Sequence, residues 1–508
     1  MNSARPPAAG ATAARALRAA PLGVVAATGF AGGLCVLIGV AQSGSPFVLK
    51  LPGAWFFGTG PGPVGSGPHR DATFLAAMVV YAGIALLVGS WFETVRTLRR
   101  HPGTPPRRVA GILALWAAPV LVMPPLFSRD AYDYAAQGEM VARGINPYLH
   151  GPSALGRGPF LRFVDPLWVK APAPYGPAWE RLSQWTVQLA GHDVLASLAG
   201  LRIVALAGVA LLAWGVTDLA RSEGRDRSAV LALAALNPLV LLVLLGGAHN
   251  DALMLGLLVA GCALARRDHF VLGLVACGLA AEIKVPALIG AAFIGWWWAG
   301  APAGRRARAR RVVGAVLVAA GIMAAVGALC GLGWGWLRGL SNPGVVVSWL
   351  DPATAAGLAL ARLAGLVGLG GHTAGFVQVT RAAGLGVAAV VAVGLLWRAE
   401  RLGVLRALGW SLLVLAVLGP VVWPWYEAWG FVVLAVVAEG WTLRVVLALS
   451  AVACFADVPG LAAFGAPDPA LALAGWGCLI TLVAVFCVVR LAPSLAGRAR
   501  SPSGAVMA

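Results

Sequence analysis

The sequence predicts an all-α integral membrane protein: a multi-span helical bundle with a large, partly helical extracytoplasmic loop. Of its 508 residues, 59% are hydrophobic and only 11% are charged, whereas a soluble domain has about 25% charged residues. The mean hydropathy is +0.82. These values exclude a soluble globular enzyme and a disordered or fibrous chain, and they favour one polytopic membrane domain over residues 1–508.

The apolar segments predict about 12–14 membrane spans, because a spanning helix needs about 20 apolar residues. The longest interval between spans is 128–196, which we expect to be an extracytoplasmic loop. The glycine-rich stretch 350–371 is expected outside the membrane as an interfacial helix. The candidate spans are 21–42, 72–95, 109–127, 197–220, 229–247, 251–265, 269–283, 285–300, 312–334, 379–397, 404–422, 426–440, 442–457 and 470–490.

The distribution of charge predicts how these spans are oriented. The chain has 38 basic and 20 acidic residues, a net charge of +18. With the N-terminus inside, the whole excess falls on one side of the membrane, as the positive-inside rule requires. The tails 1–20 and 491–508 are then cytoplasmic, and no nucleic-acid partner is needed. The basic loops on that side are 96–108, 221–227, 266–268, 304–311 and 398–401.

The first polar cluster opens the 128–196 loop. Ser128 can cap a helix that begins near Arg129 and ends at Gly144. A carboxylate at the mouth of a span can serve as a general base, whereas the alternative is that Asp130 only complements the helix dipole. Spacing alone supports these two interpretations of Asp130 equally. Helical periodicity places three side chains on roughly one face: Asp130, Asp133 and Gln137.

The second cluster is the consecutive triplet His249, Asn250 and Asp251, between two apolar runs. Three hydrogen-bonding side chains at the membrane surface could bind sugar hydroxyls or a metal. A metal site needs three or four ligands, and no convincing set can be assembled from the sequence. We therefore predict no cofactor, and the need for a divalent ion stays open.

Two cations lie in apolar surroundings near the same side. Lys284 is flanked by apolar residues, and Arg202 lies inside a predicted span. An unpaired ammonium in such surroundings costs considerable free energy. The two cations could therefore be paired with a ligand phosphate, which they would clamp. The alternative for Lys284 is snorkelling to the interface. Glu282 is only two residues away and would face elsewhere on a helix.

Aromatic residues gather in two proline-rich stretches. Tyr175 lies in the stretch 164–177, and the second stretch, 419–430, contains two helix-breaking prolines. Its aromatic residues could form an interfacial belt, which would suffice to explain them, or a stacking platform for a sugar or an isoprenoid. They are Trp423, Trp425, Tyr426 and Trp429.

Taken together and in order, from about Trp116 to Trp429, these segments allow a family to be named. The chain resembles the actinobacterial polyprenol-phosphomannose-dependent α(1→6)-mannopyranosyltransferases, which are membrane glycosyltransferases of the GT-C fold. The motifs that carry the resemblance are SRDAYDYAAQG, GINPY, APYGP, NPLVL followed by GGAHNDALM, the K-x-P after it, and WPWY.

The resemblance implies an inverting hexosyltransferase of cell-envelope biosynthesis in the plasma membrane, with its active site on the extracytoplasmic face. The donor would be polyprenyl phosphomannose, and the acceptor a lipid-anchored α(1→6)-mannan of the lipomannan type. A base would accept the acceptor's hydroxyl proton, and cations would stabilise the leaving phosphate.

The resemblance also implies roles for individual residues. Asp130 matches the place of the catalytic base in the large loop, and Asp133 is the second choice. The residues assigned to donor phosphate or sugar are Arg129, Arg202, His249, Asn250, Asp251 and Lys284. The residues assigned to the acceptor or lipid groove are Tyr175, Trp425 and Tyr426.

One feature departs from many GT-C proteins, whose large loop follows the first span rather than the third. Either two helices were added at the N-terminus, or the loop 43–71, with Asp71, is the true first loop. Three other functions remain open: a flippase or transporter of a lipid-linked sugar, a GT-C transferase for another polyprenyl-phosphate sugar, and a scaffold without chemistry.

Overall fold

Every regular element that the computed structural model describes is a helix, so the all-α prediction is confirmed for those residues. Predictions for the tails 1–20 and 491–508, and for most of the 43–71 loop and the 470–490 span, lie outside them. The described residues are 21–41, 70–300, 303–368 and 372–456, with positions 477, 480 and 481.

The helices are numbered here in chain order. One-turn 3-10 helices lie at Pro152–Leu155, Val285–Leu288 and Asn342–Val345, and a π-helical turn lies at Val240–Leu245. The α-helices are α1 (Leu22–Ala41), α2 (Arg70–Arg100), α3 (Pro106–Val122), α4 (Asp130–Ala142), α5 (Pro159–Phe163), α6 (Pro177–Leu189), α7 (Val194–Ser222), α8 (Arg227–Ala234), α9 (Asp251–Arg266), α10 (Phe270–Ile283), α11 (Ile289–Ala299), α12 (Arg305–Cys330), α13 (Trp336–Gly339), α14 (Pro352–Leu366), α15 (Thr373–Trp397), α16 (Ala399–Leu402), α17 (Val404–Leu418), α18 (Pro424–Val436) and α19 (Gly440–Ala456).

Within the described residues, five helices are long and apolar enough to cross a membrane: α1, α7, α12, α15 and the Leu75–Arg100 part of α2. Other apolar helices are shorter. The 15 residues of α17 extend over about 22 Å at 1.5 Å per residue, which is less than a hydrocarbon core of about 30 Å. The bundle therefore combines full spans with shorter helices, whose ends bring polar groups into its interior.

The predicted span 229–247 is one place where a helix is interrupted. Helix α8 ends at Ala234, and the chain resumes as a π-helical turn at Val240. The break falls at Asn237 and Pro238, because proline has no N–H for the helical ladder. The Asn237 side chain donates to the Ser450 hydroxyl at 2.8 Å. The interruption is therefore held in place by a hydrogen bond to α19.

A helix, α14, lies within the stretch 350–371 and packs against α15, so the helical part of that prediction is confirmed. Its beginning is tied to another part of the bundle. Asp351, immediately before the helix, accepts a hydrogen bond at 2.8 Å from the backbone N–H of Val422. Arg381 of α15 donates to the Thr354 hydroxyl at 2.9 Å. These bonds hold the C-terminal helices against the aromatic stretch 419–430.

Glycines allow α7 and α9 to pack with their backbones in contact. A Cβ atom at Gly208 would overlap the backbone of Ala252, and one at Gly256 would overlap the carbonyl of Gly208. Small residues at such crossings permit the close approach that stabilises helices in lipid. The crossing fixes the beginning of α9, where the predicted His249–Asp251 triplet lies.

Candidate active site

A cavity of about 320 Å³ lies beside α4, between the 164–175 loop and the aromatic stretch 419–430. Its lining combines two carboxylates, two amides and an ammonium with aromatic and apolar side chains. Its polar lining residues are Asp130, Asp133, Gln137, Lys284 and Asn342. Its aromatic lining residues are Trp168, Tyr175, Trp423, Trp425, Tyr426 and Trp429, and its apolar lining residues include Leu340, Leu385, Leu415 and Pro420.

The three polar side chains predicted to share one face of α4 do line this cavity. The helix begins at Asp130 and ends at Ala142, slightly inside the predicted limits. The Ser128 hydroxyl accepts the backbone N–H of Asp130 at 3.1 Å, so Ser128 supports the beginning of the helix as expected. The Gln137 amide donates to Asp133 Oδ2 at 2.8 Å, which ties two of the three side chains together.

The two carboxylates differ in their protonation. Burial raises the pKa of Asp130 to about 6, while the Lys284 ammonium and the Ser128 hydrogen bond act in the opposite direction. Burial raises the pKa of Asp133 well above its usual range, and the charge of Asp130 raises it further. Asp130 is therefore mostly ionised at neutral pH and able to accept a proton. Burial therefore favours the protonated form of Asp133, which can donate a hydrogen bond.

Lys284 is the cation of the cavity. Its ammonium donates to both oxygens of Asp251, at 3.1 and 2.9 Å, and lies 4.5 Å from the centre of the Tyr426 ring. The indole of Trp429 also donates to Asp251, at 2.6 Å. Lys284 is paired rather than snorkelling, and these contacts hold its ammonium at the cavity wall.

Glu282 points away from the cavity, although not for the predicted reason of helical spacing, because Lys284 lies in extended backbone after the end of α10. Glu282 accepts the backbone N–H of Ala178 at 2.9 Å. Gly176 makes this approach possible, because a Cβ atom there would overlap the backbone of Glu282. The contact fixes the beginning of α6 against the end of α10.

His249 lies behind the cavity wall. Its ring stacks on Trp425 with centroids 4.1 Å apart and an interplanar angle of 24°, and Trp425 stacks on Trp423. His249 Nδ1 lies 3.6 Å from Asp130 Oδ2. Burial, followed by the Lys284 charge, lowers the pKa of His249 well below its usual range. The neutral ring therefore packs under the aromatic wall and faces the carboxylate.

The rest of the predicted triplet supports the wall. Asn250 accepts a hydrogen bond from the Tyr134 hydroxyl at 3.4 Å, and Asp251 binds Lys284. Asp251 is fully buried and Asn250 nearly so, and none of the triplet lines the cavity. The triplet therefore orients the residues that do. Among the described residues, no three His, Cys, Asp or Glu side chains converge so as to hold a metal ion.

The structure does not bring Arg202 or Arg129 to the cavity. The Arg202 guanidinium donates to the carbonyl oxygens of Leu121 at 3.2 Å, of Met123, and of Gly246 at 2.7 Å. These oxygens lie where α3 ends and where the chain turns before His249. Arg202 thus joins the segments that carry Asp130 and His249. Its Nη1 and Nη2 atoms donate the hydrogen bonds that hold them together.

Glu180 is a polar residue near the site that the sequence analysis missed. It is fully buried on α6, and burial together with the charge of Asp133 raises its pKa well above the usual range. Neither of its carboxyl oxygens has a hydrogen-bond partner among the described residues. The only feature visible in the sequence was an acidic residue within an amphipathic helix. Such a residue is typical of the solvent-exposed face.

The structure is a helical bundle of the membrane-protein class that encloses a carboxylate and an ammonium, and sequence comparisons identify its family. A family model described as α-(1→6)-mannopyranosyltransferase, N-terminal domain, matches residues 26–300. A second, described as MptB C-terminal domain, matches residues 353–492. The chain belongs to the α-(1→6)-mannopyranosyltransferase family, and it is a membrane glycosyltransferase that transfers mannose.

Curated relatives cover most of the chain. α-(1→6)-Mannopyranosyltransferase A of Mycobacterium tuberculosis is 32% identical over 82% of this chain and 81% of its own length. α-(1→6)-Mannopyranosyltransferase B of Corynebacterium glutamicum is 32% identical over 78% of this chain and 72% of its own. A probable α-(1→6)-mannopyranosyltransferase of Mycolicibacterium smegmatis is 34% identical over 64% of each. No solved structure matches the chain.

Proposed function

We propose that the protein transfers mannose, with inversion, from polyprenyl phosphomannose to a lipid-anchored α(1→6)-mannan on the extracytoplasmic face. The observation that carries the proposal is that Asp130 and Lys284 line the same cavity as a set of aromatic and apolar side chains. Such a cavity suits a substrate that joins a sugar phosphate to a long hydrocarbon. The mannan acceptor is suggested by the names of the curated relatives.

Asp130 is the general base in this proposal. It accepts the proton of the acceptor hydroxyl as that oxygen attacks the anomeric carbon. The sugar passes through an oxocarbenium-like state, as in glycoside hydrolysis, and a single displacement inverts the anomeric centre. A pKa of about 6 suits this role, because the carboxylate is ionised at neutral pH yet remains basic enough to take a proton.

Lys284 stabilises the leaving group. As the bond from the anomeric carbon to the donor oxygen breaks, negative charge grows on the phosphate of the carrier. A positioned cation in a water-poor site stabilises such charge more strongly than water does. The pairing of Lys284 with Asp251 keeps the ammonium in place before the donor binds. Protonated Asp133 can donate a hydrogen bond to the sugar or to the phosphate.

The apolar part of the lining takes the carrier lipid. Leu385 of α15 and Leu415 of α17 belong to it, and Leu385 is 41% exposed on the outside of the bundle. A polyprenyl chain can therefore enter between these helices from the bilayer. Tyr175, Trp425 and Tyr426 also line the cavity, and their aromatic faces can pack on the pyranose ring or on the first isoprene units.

The remaining candidates act through other residues in this proposal. Arg202 positions the ends of α3 and of the π-helical turn, and His249 supports Trp425 from behind. Arg129 precedes Asp130 and orients the beginning of α4. The extracytoplasmic placement follows from the charge pattern, because the basic loop 96–108 precedes α3 whereas Asp130 follows it.

The test uses the full-length protein in lipid nanodiscs, radiolabelled polyprenyl phosphomannose and a short α(1→6)-mannoside acceptor. The wild type is compared with Asp130→Asn and Asp133→Asn. Asp268→Asn is the matched control, because Asp268 is exposed at the basic end, and asparagine tolerates its φ of 64°. We expect transfer by the wild type and the control, and loss of transfer with Asp130→Asn.

Other outcomes separate the alternatives. Full transfer by a folded Asp130→Asn protein would assign the base elsewhere, with Asp133 next. Transfer only from a donor with a different polyprenyl-linked sugar would change the substrate and keep the chemistry. Movement of intact labelled lipid across a proteoliposome membrane, without release of carrier phosphate, would identify a transporter instead.

A further inference from the structure

A second cavity, of about 330 Å³, lies at the opposite end of the bundle from Asp130. Arg107, in its lining, is in the first turn of α3, and Asp130 follows the end of that helix. The 17 residues of α3 extend over about 26 Å, so the two cavities are separate. We call the second one the arginine pocket; its four arginines are Arg107, Arg221, Arg227 and Arg267.

The arginines of the pocket come from four different segments. Arg107 begins α3, Arg221 lies in the last turn of α7, Arg227 begins α8, and Arg267 follows α9. An excess of arginine on one side of a membrane protein is expected from the positive-inside rule. That rule places cations on a side and does not bring four of them to one cavity, which is a property of the tertiary structure.

Most of this positive charge has no counter-charge. Arg267 is bound through two nitrogens to the carboxylate of Asp218, the one acid in the lining. In the part of the chain that the structure describes, the side chains of Arg107, Arg221 and Arg227 form no ion pair or hydrogen bond. The pocket therefore has a surplus of three positive charges.

Two of the unpaired arginines also oppose helix dipoles. Arg107 and Arg227 lie in the first turns of α3 and α8, where the dipole is positive and a cation is unfavourable. The two helix beginnings adjoin, because the Asp226 carboxylate, which caps α8 by accepting the backbone N–H of Ala229 at 2.7 Å, also accepts the backbone N–H of Gly103 at 3.0 Å. An anion beside Arg107 would be favoured by the dipole of α3 and by both arginines.

Apolar residues also line the arginine pocket: Ala110, Ala213, Trp214 and Leu231. Trp214 is 42% exposed on the outside of the bundle, and the Arg267 guanidinium lies 5.9 Å from its ring centre. A site that combines cations with exposed apolar side chains matches the two parts of a phospholipid, the phosphate and the beginning of its acyl chains.

We propose that the arginine pocket binds the phosphate headgroup of an anionic membrane lipid, with the acyl chains against Ala213 and Trp214. The ligand belongs to the bilayer rather than to the reaction, because the pocket is separated from the sugar site by the length of α3. Basic pockets between transmembrane helices recognise anionic lipid headgroups by this chemistry. Bound lipid would join α3, α7 and α8 at one point.

The experiment measures lipid binding by native mass spectrometry of the full-length protein in a non-ionic detergent. Phosphatidylglycerol is titrated against phosphatidylcholine with the same acyl chains. The variant is Arg107→Gln with Arg227→Gln. The matched control is Arg305→Gln with Arg306→Gln, since these exposed arginines also begin a helix, α12, and lie outside the pocket.

We expect phosphatidylglycerol to bind more tightly than phosphatidylcholine. The double variant should bind it roughly 30-fold more weakly, at about fivefold per arginine, while the control keeps wild-type binding. The double variant should be at least as stable as the wild type without lipid, because it relieves two unfavourable dipole contacts. If it does not fold, Arg221→Gln, with an expected loss of about fivefold, replaces it.

Three results would overturn the proposal. One is equal binding of phosphatidylglycerol and phosphatidylcholine. Another is wild-type binding by folded variants of the pocket arginines. The third is complete displacement of phosphatidylglycerol by millimolar inorganic phosphate, which would identify a site for a soluble anion instead. None of these results depends on mannosyl transfer, so they leave the proposed function untouched.

Discussion

The Lys284 ammonium and the Asp251 carboxylate form a buried ion pair, with the closest atoms 2.9 Å apart, in the wall of the cavity that contains Asp130. Asp251 is fully buried, and only 11% of the Lys284 side chain is exposed. Breaking such a pair by removing one partner leaves an uncompensated charge, whereas removing both charges costs much less.

Lys284→Met should therefore affect both stability and activity. The single variant should lose roughly 3–5 kcal/mol of stability and transfer mannose at least about 100-fold more slowly. Adding Asp251→Asn should recover much of the stability but none of the activity. Thermal unfolding in nanodiscs and the transfer assay measure the two effects. If the double variant regained activity, Lys284 would only have neutralised Asp251.

The raised pKa of Asp130 predicts a pH dependence of the reaction. The base works only when ionised, so kcat/KM should rise with pH, reach half of its maximum near pH 6 and level off above it. The measurement is the rate from pH 5 to 8 at low donor concentration. A flat profile between pH 5 and 7 would contradict the assignment of Asp130 as the base.

The same pKa predicts an effect of Asp130 on stability. A carboxyl whose pKa is higher in the folded state binds protons more tightly there, so its contribution is lost as pH rises through about 6. Asp130→Asn should therefore be more stable than the wild type above pH 7, by roughly 2–3 kcal/mol, and nearly equal to it below pH 4. Unfolding at both pH values tests this, and a constant difference would exclude the linkage.

Arg202 gives a prediction that separates a positioning role from a phosphate contact. Arg202→Met leaves the carbonyl oxygens of Leu121 and Met123 without this donor, each worth about 1–3 kcal/mol when buried. The Gly246 carbonyl, in contrast, keeps the backbone N–H of Leu126. We expect a loss of at least about 2 kcal/mol in stability and a lower kcat. A variant with unchanged unfolding temperature and only a raised KM for the donor would instead show that Arg202 binds phosphate.

The apolar part of the cavity lining predicts a selective effect on the lipid donor. Leu385→Trp should fill part of this space and reduce transfer from a long-chain donor about tenfold, since overfilling costs roughly 1–3 kcal/mol. A donor with a very short chain should be affected much less. Val390→Trp on the same helix is the control, because Val390 is 73% exposed and outside the lining. Equal losses for both donors would place the carrier elsewhere.

Local spacing correctly predicted one part of the site. The helical period placed Asp130, Asp133 and Gln137 on one face of α4, a relationship that depends only on the geometry of one helix. Glu282 does point away from Lys284, but Lys284 lies in extended backbone after the end of α10, so helical spacing is not the reason. The pairing of Lys284 with Asp251 could not be predicted, because the two residues are 33 positions apart and meet only when α9 and α10 have packed.

Arg202 and Glu180 are two further residues whose surroundings could not be predicted from local spacing. A cation inside an apolar span suggested a ligand phosphate, yet its partners are backbone carbonyls near Met123 and Gly246, and carbonyl positions cannot be read from residue types. Glu180 looked like a residue of a solvated face, and only the packing of α6 against α4 buries it beside Asp133. In both cases the surroundings are assembled from distant segments.

The sequence by itself determined that the chain lies in a membrane, that it is helical and which family it belongs to. Composition, the length of the apolar segments and the order of the motifs are properties of the chain alone. The tertiary structure decided which polar groups face a common space. It buried Asp130 and Asp133 so that the pKa of each carboxyl is raised, placed the His249–Asp251 triplet behind the wall, and gathered four arginines at the far end of α3. These outcomes depend on burial and on distances between helices, since both the cost of a charge and the strength of its interactions are set by what packs around it.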